Sequence, residues 1–387
     1  MIYLDNAATS WPKPEMVYRT MDNFLRIKAG NPGRGSHSLA LAAGEAVART
    51  RMMAAQLINA AEMKRMIFTL NCTQALNLAL KGLLSSDDHV ITSSIEHNSL
   101  ARPLRRLELE GVKVTRVPIS MEKGFVLARD IEAAITERTR LIAINHACNV
   151  TGIVQPVEEY GEVARRHDLL LLVDAAQTAG KYPIDVESSK IDMLAFSGHK
   201  GLFGPPGVGL LYIGPRVELK SLWEGGTGSY SEMEEQPETL PDKFEVGTPN
   251  SVGISGLGAG LEFVFAEGVE RIHVQVSSMA DHLIDGLARI RGVALPGLFK
   301  RASRVPIVSF LVAGYDPGEV GAILDQFFDI KARAGLHCAP AVHKTLGTFP
   351  QGTIRLSPGY FNSEEEIDFA IRAIEKIAAS RTRNYCS

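Results

Sequence analysis

The sequence has few cysteines: four in 387 residues, none in a short paired spacing. That excludes a disulfide framework, which needs an even set of closely spaced cysteines. The expectation is a reducing compartment, where a free thiol can do chemistry. An excess of one charge is also lacking. Lys and Arg total 41, Asp and Glu total 44, and the formal net charge is -3. Bulk electrostatics implies no polyanion, so no nucleic-acid partner is expected. Arg102, Arg105 and Arg106 recur at helical spacing and read as a solvated helix face. No apolar run reaches the length of a membrane helix, and the N-terminus has neither the basic start nor the apolar core of a signal peptide. A cytoplasmic protein without membrane contact is therefore expected. Internal repeats and low-complexity segments are absent too.

What remains is an ordinary globular composition, 45% hydrophobic and 22% charged. The chain is longer than one compact domain usually needs. Short apolar runs at 67–70, 90–93, 141–145, 169–173, 193–197 and 208–213 alternate with helix-length amphipathic segments at 75–83, 100–110 and 157–167. Several runs are apolar nearly throughout, as strands buried on both faces are. The pattern predicts an α/β domain with a largely parallel sheet. Residues 221–250 carry Gly225, Gly226, Gly228, Pro237, Pro241, Gly247 and Pro249 with little periodicity and read as an extended excursion. Helices resume near Ile254. From Val305 the order changes to strand 307–312, helix 317–328, strands 330–334 and 353–356, and helix 363–379, a smaller α+β domain.

Functional residues of a parallel sheet gather at the carboxyl ends of its strands. Asn149, Asp174 and His199 each follow a predicted strand. Asp174 taken alone reads as a loop cap. Ser197-Gly198-His199-Lys200 comes after the next strand, placing Lys200 at the same sheet edge 26 residues further on. A lysine amine can form a Schiff base with an aldehyde cofactor, and an acidic partner keeps that cofactor's pyridine nitrogen protonated. The plain alternative for Lys200 is a surface lysine in a turn. Cys72-Thr73-Gln74 opens a predicted helix whose first amides attract an anion, while Thr73 can also be only a cap.

Val173-Asp174-Ala175-Ala176-Gln177 together with Ser197-Gly198-His199-Lys200 resembles the signature of class V aminotransferases, the pyridoxal-phosphate fold type I group. Within it the chain is most similar to the cysteine desulfurases and selenocysteine lyases. The resemblance runs from Tyr3-Leu4-Asp5-Asn6-Ala7-Ala8-Thr9 to Arg355 and the last helix. It implies a large domain with a mainly parallel seven-stranded sheet at residues 16–260. A smaller α+β domain would be built from 1–15 and 261–387. It implies pyridoxal 5'-phosphate held by Lys200, with Asp174 on the pyridine nitrogen and Gln177 on the phenolic oxygen. His97 would stack on the ring and relay protons. Cys72, Thr73, Ser197 and His199 would surround the phosphate, where relatives often carry threonine and glutamate at 72 and 74. Gly247-Thr248-Pro249-Asn250, a turn signal by itself, would bring Thr248 to the phosphate of a neighbouring subunit. A homodimer follows. Asn149, Arg355 and Arg333 would bind the substrate, with Arg355 anchoring its carboxylate, although an arginine in strand 353–356 can simply be an edge residue.

Most lone cysteines are buried and inert. Cys72 lies in the phosphate segment, Cys148 precedes Asn149, and Cys386 is penultimate. Cys338 differs. The stretch Arg333-Ala334-Gly335-Leu336-His337-Cys338-Ala339 resembles the Arg-x-Gly-His-His-Cys-Ala motif of the SufS-like short-loop desulfurases, with Leu336 in place of the first histidine. Arg333 and His337 are candidates for lowering the thiol's pKa. His337, Cys338 and His343 lack the second ligand pair of a zinc site, so no metal is expected. The resemblance implies release of sulfur from L-cysteine, or selenium from selenocysteine, as a persulfide on Cys338 that passes to an acceptor protein. Two rivals stand beside it. One is another class V enzyme without a catalytic thiol, such as a transaminase, epimerase or β-lyase. The other is a non-catalytic scaffold on the same fold.

Overall fold

A computed structural model describes residues 1–33, 35–299 and 303–384 of the chain. Cys386 lies outside the described residues. The large sheet has seven strands in the order Met66–Thr69, Gly209–Ile213, Met193–Ser197, Leu170–Asp174, Thr139–Asn145, His89–Ser93 and Lys113–Val117. Gly209–Ile213 runs antiparallel to both neighbours, and every other pairing is parallel. The inner strands are apolar on both faces because both faces are covered. Leu171, Val173, Leu194 and Phe196 enter one core, while Leu172, Met193 and Ala195 enter the opposite one. The outermost strand, Lys113–Val117, is half exposed and mixes three polar residues with two valines. It has no continuous apolar run, which is why it is missing from the strands read off the sequence.

The strands His89–Ser93, Thr139–Asn145, Leu170–Asp174 and Met193–Ser197 end together at the sheet's carboxyl edge. Asn145 pairs with Asp174, and Asp174 with Ala195. His97 follows the strand His89–Ser93 by a short turn and caps the helix Asn98–Leu109. The expected excursion is present, with neither helix nor strand from Gly214 to Asn250. The helix Ser251–Glu267 then packs beneath Ser38–Leu57.

The C-terminal part contains a four-stranded antiparallel sheet, ordered Arg333–Gly335, Thr353–Leu356, Val308–Val312 and Val293–Ala294. Its core is shared with the helices Val269–Ala288, Pro317–Phe328 and Glu364–Asn384. The single strand expected at 330–334 is two. Ile330–Lys331 pairs parallel with Ile2–Tyr3, whereas Arg333–Gly335 pairs antiparallel with Thr353–Leu356. The break at Ala332 lets one stretch serve two sheets. Leu4 is fully buried in the C-terminal core, so the start of the chain packs with its end. Arg355 is on an inner strand, paired with Ser309 on one side and Arg333 on the other, not on an edge. Among the described residues no single helix is long and apolar enough to cross a membrane.

Candidate active site

A cavity of about 200 Å³ opens at the carboxyl edge of the large sheet. Its walls include Lys200, Asp174, Gln177, His97, Asn149, Ser197, His199 and the Cys72–Thr73 turn. Eight of the residues singled out in the sequence thus meet Lys200 in one hollow. Asn71, Ser99 and Asn145 line it as well, and the sequence reading missed them.

Asp174 is buried, and its carboxylate is surrounded by donors. The Ala176 N–H donates to Oδ1 at 2.9 Å, the Cys72 thiol lies 3.4 Å from the same oxygen, and the Ser99 hydroxyl is 3.3 Å from Oδ2. Burial pushes the Cys72 thiol well up, with Asp174 adding to the rise, so it stays a protonated donor. Burial lowers the Lys200 pKa, opposed by Asp174. A lowered pKa raises the share of neutral, nucleophilic amine. The lysine is held through its neighbour. The His199 carbonyl accepts the Ser10 N–H at 3.1 Å, the Thr9 hydroxyl at 3.0 Å and the Lys13 ammonium at 2.8 Å. Gly201 must be glycine here, because a Cβ would lie 2.3 Å from the Ala179 carbonyl oxygen.

His97 is pushed down to about 4, chiefly by burial. Its Nδ1 accepts the Ser99 N–H at 3.0 Å, which leaves the proton of the neutral ring on Nε2. Gln177 donates from Nε2 to the Ala7 carbonyl at 3.0 Å, and its Oε1 is buried without a partner among the described residues. The helix Cys72–Leu83 begins at the cavity wall, with Asn71 as its cap. The Cys72 N–H donates to the Ser197 hydroxyl at 3.2 Å.

Cys338, Arg333, Arg355 and Thr248 do not line this cavity. Cys338 is exposed on the short link between Arg333–Gly335 and the helix Pro340–Thr345. Two hydrogen bonds tie that link to the cavity rim. The Cys338 carbonyl accepts the Asn98 N–H at 2.8 Å, one residue past His97, and the His337 carbonyl accepts from Asn149 Nδ2 at 2.7 Å. His337 and Cys338 are successive left-handed residues, with φ of 50° and 58°. Such backbone is costly for non-glycine residues and persists only where the surroundings hold it. Arg333 Nη2 is 3.4 Å from the sulfur. The expectation for His337 fails. Its ring faces inward to Thr353 Oγ1 at 3.0 Å, and burial pushes it down to about 2, so it is a neutral core residue. His343 is likewise buried, bonded to Thr348. Thr248 is exposed on the wall of a separate hollow of about 650 Å³.

Residues 2–369 match the class-V aminotransferase family. The chain belongs to that family. A protein of Methanothermobacter thermautotrophicus named probable cysteine desulfurase is 38% identical over 384 residues, covering 97% of this chain and 94% of the relative. One from Halalkalibacterium halodurans with the same name is 34% identical, covering 97% and 93%. The apo structure of a cysteine desulfurase from Thermococcus onnurineus superposes with a TM-score of 0.92 at 34% identity, covering 98% of this chain and 95% of that one. An Escherichia coli cysteine desulfurase, solved as its S-sulfonic acid, gives 0.87 at 29% identity over 97% and 94%. The family depends on pyridoxal phosphate. The cavity suits that group. It joins a lysine with a lowered pKa, a carboxylate at the same sheet edge, a neutral imidazole and a helix N-terminus. His199 Nδ1 and Gln177 Oε1 are buried there without partners among the described residues.

Proposed function

We propose that the chain is a pyridoxal-phosphate-dependent cysteine desulfurase, converting L-cysteine to L-alanine and a persulfide on Cys338. One observation carries the reading. The Cys338 turn is hydrogen-bonded to Asn98 and Asn149, at the rim of the cavity that holds Lys200. A transaminase or epimerase has no use for a thiol held there, and a scaffold has none for a lysine with a lowered pKa.

Bound in the cavity, the cofactor supplies a sink for the electrons left at the substrate Cα. Asp174 would keep the pyridine nitrogen protonated, and the donors around it fix its carboxylate. Lys200 would hold the cofactor at rest and, once freed by substrate, would accept the Cα proton on its neutral amine. Gln177 retains a second amide N–H for the phenolic oxygen. Cys72, Thr73, Ser197 and His199 receive the phosphate, aided by the helix N-terminus. His97, neutral with its proton on Nε2, would stack on the ring and relay protons. Arg355 and Asn149 take the α-carboxylate. The Cys338 thiolate, with Arg333 beside it, attacks the substrate sulfur. The S–S bond forms as the C–S bond breaks, the C–S electron pair passes to the substrate's Cβ, Cβ takes up a proton to become a methyl group, and alanine leaves. A thiol acceptor, in this reading a partner protein, then discharges the persulfide. Selenocysteine is a second substrate to test by the same route. The reading includes a homodimer, in which Thr248 serves the phosphate of the second copy, and a reducing cytoplasm.

The test incubates holoenzyme with L-cysteine, or with selenocysteine, plus dithiothreitol. Alanine and sulfide in equal amounts are expected from cysteine, with one extra sulfur on the Cys338 peptide by mass. Cys338→Ala is expected to keep the cofactor's absorption and to lose sulfide release by at least about a hundredfold, the scale of an absent covalent nucleophile. Unchanged turnover in that variant sinks the proposal.

A further inference from the structure

Arg355 is 1% exposed, and its guanidinium is already engaged. Nη2 donates to Asp5 Oδ1 at 2.7 Å, and Nη1 donates to the Asn149 carbonyl at 3.1 Å. Nε is buried without a hydrogen-bond partner among the described residues. A carboxylate binds a guanidinium best through two parallel N–H bonds. The Nε edge is the part left, and its second donor is Nη2, which Asp5 uses. We propose that Asp5 is a competing carboxylate. It pairs with Arg355 between turnovers and gives up its share of the guanidinium when the substrate's α-carboxylate arrives. This rests on the reading of Arg355 as the carboxylate anchor.

Three further observations support the exchange. Arg333 and Arg355 are direct cross-strand partners, a like-charge pairing that costs stability when unrelieved. Arg333 turns to the Cys338 sulfur, so Asp5 is the anion that offsets Arg355. An incoming carboxylate can take over that task. Secondly, the backbone around Asp5 is fixed: Leu4 N–H donates to the Lys331 carbonyl, Asn6 N–H to the Ser357 carbonyl, and Asp5 bridges Ser357. The side chain is 21% accessible and can turn aside without moving the chain. Thirdly, the Nη1 bond to the Asn149 carbonyl keeps the guanidinium in place while Asp5 leaves. A purely structural Asp5 makes the opposite prediction. Its loss would let Arg355 drift and weaken carboxylate binding.

The sign of that effect is the test. L-Alanine, which has a carboxylate and no sulfur to lose, is titrated into holoenzyme and followed by the cofactor's visible absorption. Alaninamide, without the carboxylate, is the control. Asp5→Asn is expected to bind alanine about tenfold tighter and alaninamide unchanged. In an Arg355→Gln background the Asp5 substitution is expected to do nothing. Equal or weaker alanine binding in Asp5→Asn, with Arg355→Gln strongly impaired, overturns the inference and leaves the anchor reading standing. Undiminished alanine binding in Arg355→Gln removes the anchor reading, and the inference with it. Should Asp5→Asn fail to fold, Asp5→Ser takes its place with the same outcomes.

Discussion

Glu96 shows how much a single buried side chain can govern. Its carboxyl is pushed up to about 7, chiefly by burial, although the Ser93 hydroxyl and the Asn145 N–H, at 3.0 Å, pull the other way. The folded protein therefore keeps a proton that the unfolded chain releases near the ordinary glutamate pKa of about 4.3. The stability linked to that proton is fully present below the unfolded pKa and is lost as pH rises through 7. Glutamine reproduces the protonated form and does not titrate. Between pH 5 and pH 8, Glu96→Gln is expected to gain on the wild type by on the order of 2 kcal/mol. Urea unfolding of both proteins at the two pH values reads the gap directly, and a gap that stays constant with pH refutes the assignment. The same scale sets the limit of motif reading. His337 sits next to Cys338 in the sequence, yet its ring points into the core toward Thr353. Adjacency along a turn does not give direction when two successive residues adopt left-handed backbone.

At the scale of elements, the excursion from Gly214 to Asn250 is held by a side chain where ladder bonds are missing. Glu245 accepts from Arg51 through both carboxylate oxygens, at 2.6 and 2.8 Å, and from the Phe68 N–H at 2.6 Å. That joins the excursion to the strand Met66–Thr69 and to the helix Ser38–Leu57. Glu245→Ala leaves the buried guanidinium unpaired, and about 3 kcal/mol of unfolding free energy is expected to go. Chemical denaturation measures it, and a loss below about 1 kcal/mol, the worth of a surface pair, rejects the tether. Elements with a local signature were legible. The helix Pro317–Phe328 begins at Asp316 with Glu319 completing a capping box, and the sequence reading has the same bounds. The inner strands were legible through their apolar runs. The helices Glu15–Asn23 and Ser38–Leu57 were not named, and neither was the edge strand Lys113–Val117.

For the whole molecule, the decisive question is whether one copy suffices. Thr248 is exposed, outside the Lys200 cavity, and faces a hollow shared with Arg51, Gln74 and Glu245. The homodimer proposal predicts a particle of twice the 42.0 kDa chain mass. Light scattering at micromolar concentration checks it, and a monomer that retains cofactor and activity disproves it. Thr248→Ala is expected to weaken cofactor retention about tenfold, the value of one charge-assisted hydrogen bond of about 1.4 kcal/mol, measured by dialysis against apoenzyme.

Sequence alone determined the sheet edge that carries Asp174 and Lys200. Strands buried on both faces announce themselves as apolar runs, and parallel strands end on one side, so each residue after a run falls on the same rim. Only the tertiary structure decided what meets that rim from afar. Asp5 reaches Arg355 across 350 residues, and the Cys338 turn bonds to Asn98 and Asn149. Those meetings depend on how the C-terminal sheet docks against the large one and on a strand broken at Ala332. They arise from packing between distant segments, which no local periodicity encodes.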